Sequence, residues 1–250
     1  TRRLIPMYYH RLCLKLFGVR VEVRGAPTKD RPLLFIANHS SWLDHLILSG
    51  TTPVVFIAKK EIASWPVFGL LAKLQRSVFV DRERRHRTGA VTQEISTRLT
   101  NGDPVVLYGE GTTGDGNRVL PFRSALLGAM SMTVGPGENG YLQPVSIAYT
   151  KLQGLPMGRQ HRPVAAWFGD TNIIKHIGRV LRIGGIDAVV TFGPAMVVTP
   201  EMDRKSVARA LEQSVRRMTS AARLARPEIA ISHNDLAISP GAVSLPAESR

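Results

Sequence analysis

The chain predicts a mixed α/β fold, a largely parallel sheet flanked by helices. Two observations lead there. Short apolar runs of strand character alternate with longer helical patterns through most of the chain. Hydrophobic residues make up 44% of the 250 residues, enough for a sizeable core and too many for a disordered chain.

Taken in order, residues Met7 to Phe17 mix aromatic, aliphatic and basic side chains at helical spacing. That pattern suits a membrane interface and equally a helix packed on the domain's own core. Gly18 ends it, and Val19 to Arg24 alternates apolar and charged residues as a half-exposed strand does. A polar turn leads to Leu33-Leu34-Phe35-Ile36-Ala37, a buried strand. Asn38-His39-Ser40-Ser41-Trp42-Leu43-Asp44 follows, with Ser40 or Ser41 expected to cap a helix running through Leu48.

Val54 to Ala58 is a second buried strand, with Lys59 and Lys60 at its carboxyl end. Ile62 to Leu71, largely apolar and broken by Pro66 and Gly69, reads as lipid-facing or core-lining. Ser77 to Val80 is a short strand closed by Asp81-Arg82, and the basic run to Arg87 reads as a solvated face apart from Arg82. A helix over Thr88 to Leu99 leads to a strand at Val105 to Tyr108. The turn after it, Gly109-Glu110-Gly111-Thr112-Thr113-Gly114, is rich in glycine, so backbone can approach a ligand closely.

Pro121-Phe122-Arg123 is expected to start a helix reaching Met132. Leu142 to Tyr149 is a strand whose Pro144 places it at an edge or end of the sheet. A Gly/Pro/basic loop follows to Pro163, then a helix over Asn172 to Leu181, a strand over Ile186 to Phe192 and a basic amphipathic helix over Asp203 to Leu224. The chain therefore divides into an amphipathic, membrane-associating segment (1–18), one domain (19–225) and a mobile tail (226–250).

Net charge is +14, which suits an anionic partner, either nucleic acid or an anionic membrane surface. The basic residues are spread along the chain with no recognisable nucleic-acid motif, so no nucleic-acid partner is expected. The single cysteine, Cys13, excludes internal disulfides, fits a reducing compartment and reads as packing. No His/Cys cluster has zinc spacing, and no apolar run reaches the roughly 18 residues that span a bilayer.

His39, Asp44, Lys59, Arg82 and Glu110 all fall at or just after strand ends. In a parallel sheet those ends share one edge, where ligand sites form. In one continuous helix His39 and Asp44 would lie about 140° apart. They meet only if His39 stands in the turn and Asp44 reaches back from the first helical turn. Such a dyad leaves one imidazole nitrogen free as a general base. Alone, an H-x4-D spacing is weak in a chain with 7 histidines.

The surrounding motifs strengthen it. Asn38-His39 to Asp44, Phe79-Val80-Asp81-Arg82, Glu110-Gly111-Thr112 and Leu142-Gln143-Pro144-Val145 resemble, in order, the four blocks of the lysophospholipid acyltransferase family, which includes 1-acylglycerol-3-phosphate acyltransferases. The resemblance implies a glycerolipid-acyltransferase-like fold and a membrane-associated enzyme that moves a fatty acyl group from a thioester to a lysolipid hydroxyl. His39 and Asp44 are then catalytic, and Arg82, Glu110, Gly111, Thr112, Lys59 and Arg123 bind substrate. No cofactor is bound; the donor is an acyl carrier protein or coenzyme A thioester. The expected location is the cytoplasmic face of the inner membrane, held peripherally or by an N-terminal anchor absent from this chain.

One position departs from the pattern. Phosphatidate-forming members continue E-G-T-R, and here the fourth position is Thr113. The first acceptor implied is 1-acylglycerol-3-phosphate, giving phosphatidate. The segment from Arg162 through Trp167-Phe168-Gly169-Asp170 also resembles bacterial members that acylate lyso-ornithine lipid, which carries no phosphate, and that is the alternative. A non-enzymatic basic protein binding lipid or nucleic acid is the rival from another class.

Overall fold

The computed structural model describes residues 4–59, 77–80, 88–225 and 243–244. Lys60, the Ile62–Leu71 stretch, Arg82 with its basic run, and most of the tail expected from Arg226 onward lie outside the described residues. The strands are β1 (Val19–Arg24), β2 (Leu33–Ala37), β3 (Val55–Lys59), β4 (Val78–Val80), β5 (Val105–Tyr108), β6 (Gly140–Leu152), β7 (Leu155–Pro156), β8 (Ile186–Phe192), β9 (Met196–Val198) and β10 (Val243–Ser244). The helices are α1 (Ile5–Leu16), α2 (Leu43–Thr51), α3 (Thr88–Thr100), α4 (Gly128–Thr133), α5 (Arg162–Ala165), α6 (Ile173–Ile183) and α7 (Arg204–Arg223).

The main sheet runs β1-β8-β6-β2-β5-β3-β4. From β6 to β4 every pairing is parallel, whereas β8 joins β6 antiparallel and carries β1 parallel to itself. The result is the mixed, largely parallel sheet that the alternation predicts.

Successive residues of a strand face opposite sides of the sheet. Leu33, Phe35 and Ala37 of β2 therefore join one core, with Leu14 of α1, Ile47 of α2 and Val180 of α6. Leu34 and Ile36 join the other, with Leu99 of α3, Met130 of α4 and Leu211 of α7. Burial on both faces explains why β2 is apolar throughout. Each such Leu, Ile or Phe contributes about 1.5–3 kcal/mol when fully buried.

Two expectations are corrected. Pro144 lies inside β6, a central strand between β2 and β8, not at an edge or end. Its carbonyl accepts the Gly193 N–H at 2.9 Å. The N–H that proline lacks would point the same way, into the gap where β6 changes partner from β9 to β8, so few ladder bonds are lost. The continuous helix from Pro121 to Met132 is instead a 3-10 turn (Ser124–Leu127) followed by α4. Phe122 and Arg123 are drawn out of it because their N–H groups donate to Glu212 and to the Gly109 carbonyl. The serine cap is met in part: α2 starts at Leu43 with Trp42 before it, and the Ser41 Oγ accepts the Leu43 N–H at 3.3 Å.

Candidate active site

Four parallel strands, β2, β3, β4 and β5, end on one edge, and the chain leaving β2 makes the site. The turn after Ala37 is held from three directions. The Asn38 side chain acts as a substitute peptide: its Nδ2 donates to the Ile147 carbonyl at 2.9 Å and its Oδ1 accepts the Ile147 N–H at 2.8 Å. The Gly114 N–H donates to the His39 carbonyl at 2.9 Å, and the Trp167 N–H donates to the Ser40 carbonyl at 2.7 Å.

Asp44, in the first turn of α2, has no solvent exposure. Its Oδ2 accepts the N–H groups of Ser40 (2.7 Å) and Ser41 (2.9 Å), so the aspartate reaches back and ties down the turn ahead of the helix. The same oxygen lies 2.9 Å from His39 Nδ1, and Oδ1 accepts the Tyr149 hydroxyl at 2.6 Å. Four donors compensate a buried carboxylate for the water it has lost. Because the carboxylate accepts, Nδ1 carries the ring proton and Nε2 keeps its lone pair.

The imidazole is also gripped face-on. The Ala37–Tyr108 register of β2 and β5 brings Tyr108 beside the turn, where its ring stacks on His39 with centroids 3.8 Å apart. His45 stands edge-on to both rings. Burial, reinforced by the neighbouring His39, pushes the His45 pKa down to about 3, so it stays neutral there. The His39 side chain keeps 14% of its surface exposed, an opening for a substrate hydroxyl.

Glu110 lies buried behind the turn. Burial pushes its pKa up to about 8, against the pull of the His39 and Leu120 N–H groups, which favour the charged form. Gly111 has φ +66, and a side chain there would come within 3.1 Å of Arg123 Cδ and Nε. Glycine alone satisfies both conditions, and the Arg123 side chain lies across the loop backbone. Thr112 beside it is exposed.

The structure thus brings His39, Asp44 and Glu110 together, with Gly111, Thr112 and Arg123 on the same loop edge. The Lys59 backbone ends β3, paired with Val80, on that edge of the sheet. Arg82 lies outside the described residues. Sequence reasoning missed Tyr108, His45 and Tyr149. Tyr108 was findable as the last strand residue before the glycine-rich turn. Tyr149 carries no local signal, because it meets Asp44 across 105 positions.

The acyltransferase family matches residues 20–148. The chain is 47% identical over 228 residues to the lyso-ornithine lipid O-acyltransferase of Brucella abortus, covering 90% of this chain and 85% of that one. It is 28% identical over 204 residues to the 1-acyl-sn-glycerol-3-phosphate acyltransferase of Neisseria gonorrhoeae, covering 81% and 76%. The crystal structure of the 1-acyl-sn-glycerophosphate acyltransferase PlsC from Thermotoga maritima superposes with a TM-score of 0.63 at 22% identity, covering 89% of this chain and 80% of that one.

Proposed function

The chain belongs to the acyltransferase family, and from that premise we propose that it transfers a fatty acyl group from a thioester to the free hydroxyl of lyso-ornithine lipid. The observation that carries the chemistry is the 2.9 Å contact between His39 Nδ1 and Asp44 Oδ2. With Nδ1 held by the carboxylate, Nε2 takes the hydroxyl proton as the oxygen attacks the thioester carbonyl. Asp44 steadies the imidazolium that forms. As the tetrahedral intermediate collapses, the C–S bond breaks and the proton passes to the departing thiolate, giving ester and thiol. No covalent acyl-enzyme is needed.

The acceptor reading rests on two supports. The relative named for lyso-ornithine lipid shares 47% identity across most of both chains. Thr113 also replaces a cationic position that would suit a phosphate, and loss of a bidentate donor weakens phosphate recognition. The second reading is 1-acylglycerol-3-phosphate, with phosphatidate as product. The four motif blocks and the Neisseria relative favour it, with Arg123 as the nearby cation. Arg82, Lys59, Glu110, Gly111 and Thr112 would shape the acceptor pocket in either case. The donor would be a phosphopantetheine thioester, on acyl carrier protein or coenzyme A.

The enzyme is proposed to work from the cytoplasmic face of the inner membrane. Among the described residues no helix is long and apolar enough to cross a bilayer. The α1 helix buries Met7, His10 and Leu14, while Ile5, Tyr8, Leu12 and Leu16 are exposed. His10 Nδ1 meets Ser49 Oγ at 2.7 Å and Arg11 Nε donates to the Gly50 carbonyl at 2.7 Å, fixing α1 to α2. The proposed membrane segment (1–18) is thereby tied to the proposed acyltransferase domain (19–225).

A direct test offers both thioester donors against lyso-ornithine lipid and lysophosphatidic acid in detergent–lipid micelles. Ester formation on lyso-ornithine lipid supports the first reading. Activity confined to lysophosphatidic acid overturns it in favour of the second.

A further inference from the structure

The outer face of α6 is unusual for a helix in water. Its buried side carries His176 and Val180, with Ile173 and Ile177 packed partly against the core. The exposed half should therefore be polar. Instead Ile174 is 76% exposed and Leu181 52% exposed, with Gly178 between them. At about 100° per residue, these three positions fall within roughly 60° of one another. Lys175, Arg179 and Arg182 form a second stripe of similar width directly beside them, all exposed. The helix has no acidic residue at all.

An apolar stripe bordered by cations, without anions, is the pattern of a helix lying in a bilayer interface. The placement agrees with this. Trp42, the residue before α2, donates its indole N–H to His176 Nδ1 at 2.9 Å and meets Phe17 edge-on at 5.1 Å. The end of α1 and the middle of α6 thus rest on one tryptophan, two residues from Asp44. Both helices cover the same face of the sheet. The N-cap is fixed too, since Asn172 Oδ1 accepts the N–H groups of Ile174 and Lys175.

We propose that α6 is a second membrane-docking element. It would seat Ile174 and Leu181 in an anionic bilayer surface, with Lys175, Arg179 and Arg182 on lipid headgroups. This rests on the reading of the chain as an enzyme acting on a bilayer-embedded lysolipid, and it adds a surface that charge and motifs alone do not reveal. Two contacts flanking Trp42 would hold the opening at His39 toward the lipid from which the acceptor hydroxyl must come.

The experiment uses the full chain and vesicles of phosphatidylcholine with phosphatidylglycerol, reading co-sedimentation and acyl transfer to vesicle-borne acceptor. Activity on acceptor dispersed in detergent is measured in parallel. One variant carries Ile174→Ser and Leu181→Ser, and a second carries Lys175→Gln, Arg179→Gln and Arg182→Gln. A control variant, Arg204→Gln with Lys205→Gln and Arg209→Gln, removes the same charge from the exposed start of α7 on the other sheet face.

Each α6 variant is expected to lose roughly tenfold or more in vesicle partitioning and vesicle-borne activity while keeping its detergent activity. The control should match the parent. An α6 variant that partitions like the parent overturns the proposal, as does a parent that does not bind vesicles. Self-association that depends on Ile174 and Leu181 in a chain that ignores vesicles would assign the stripe to a second copy and overturn it too. A parent that docks through α6 but acylates nothing leaves the surface standing and removes the reaction.

Discussion

Tyr149 donates its hydroxyl to Asp44 Oδ1 at 2.6 Å, on the carboxylate oxygen that His39 does not use. The aspartate is therefore held from both sides, by the turn through Oδ2 and by β6 through Oδ1. Burial and the Asp44 charge push the tyrosine pKa well above its ordinary value, so the phenol remains a donor. Replacing it with phenylalanine leaves one carboxylate oxygen buried without that partner. Tyr149→Phe should lower kcat by roughly 10- to 100-fold with KM little changed, and cost about 1–3 kcal/mol of stability. Steady-state kinetics and denaturant unfolding check both. A KM effect alone would mean that Tyr149 touches substrate and does not position Asp44.

Asn38 offers a purely architectural counterpart. Its amide takes both polar groups of Ile147, so Asn38→Leu strands a buried N–H and a buried carbonyl. The expected loss is about 2–4 kcal/mol, seen as a lower urea midpoint. Activity of the folded fraction should fall as well, because the turn carrying His39 loses its anchor on β6. A variant as stable as the parent would show that the pairing contributes nothing.

Glu110 sets a pH dependence whose sign follows from its raised pKa of about 8. The folded state holds this proton more tightly than the unfolded chain does. Its contribution to stability is therefore fully present below the ordinary carboxylate range, near pH 4.5. It declines above that and is lost as pH rises through about 8. The slope approaches roughly 1.4 kcal/mol per pH unit between those limits. Glu110→Gln, a neutral isostere, should flatten the stability profile between pH 5 and 8 (~3 units). Parallel profiles for parent and variant would mean that Glu110 is charged in the folded protein.

Much of this site is legible in the sequence because its parts follow strand ends, and strand ends follow from apolar runs. His39 after β2 and Glu110 after β5 needed only the class of fold to be placed on one edge. The geometric condition for the dyad, histidine in the turn and aspartate reaching back, is met. What escaped is what depends on register across the chain. Pro144 reads locally as an edge residue, and only the change of partner between β9 and β8 explains it inside β6. Ser41 reads locally as a cap and does accept the Leu43 N–H, but that the Asp44 carboxylate takes the N–H groups of Ser40 and Ser41 themselves has no local signal. Tyr149 and the Trp42–His176 pair are long-range contacts with no local period to betray them.

The dyad is the central claim, and acyl transfer to lysolipid in micelles by the parent, His39→Ala and Asp44→Asn tests it most directly. Loss of the general base should lower the rate by about 10³-fold or more. His39→Ala should still fold, since Asp44 keeps its bonds to the N–H groups of Ser40 and Ser41 and to the Tyr149 hydroxyl. Asp44→Asn should lose activity together with stability, because its amide nitrogen cannot accept what Oδ2 accepts now. Such losses in both variants, with His39→Ala still folded, are the predicted result. Acyl transfer that persists in folded His39→Ala would contradict the account.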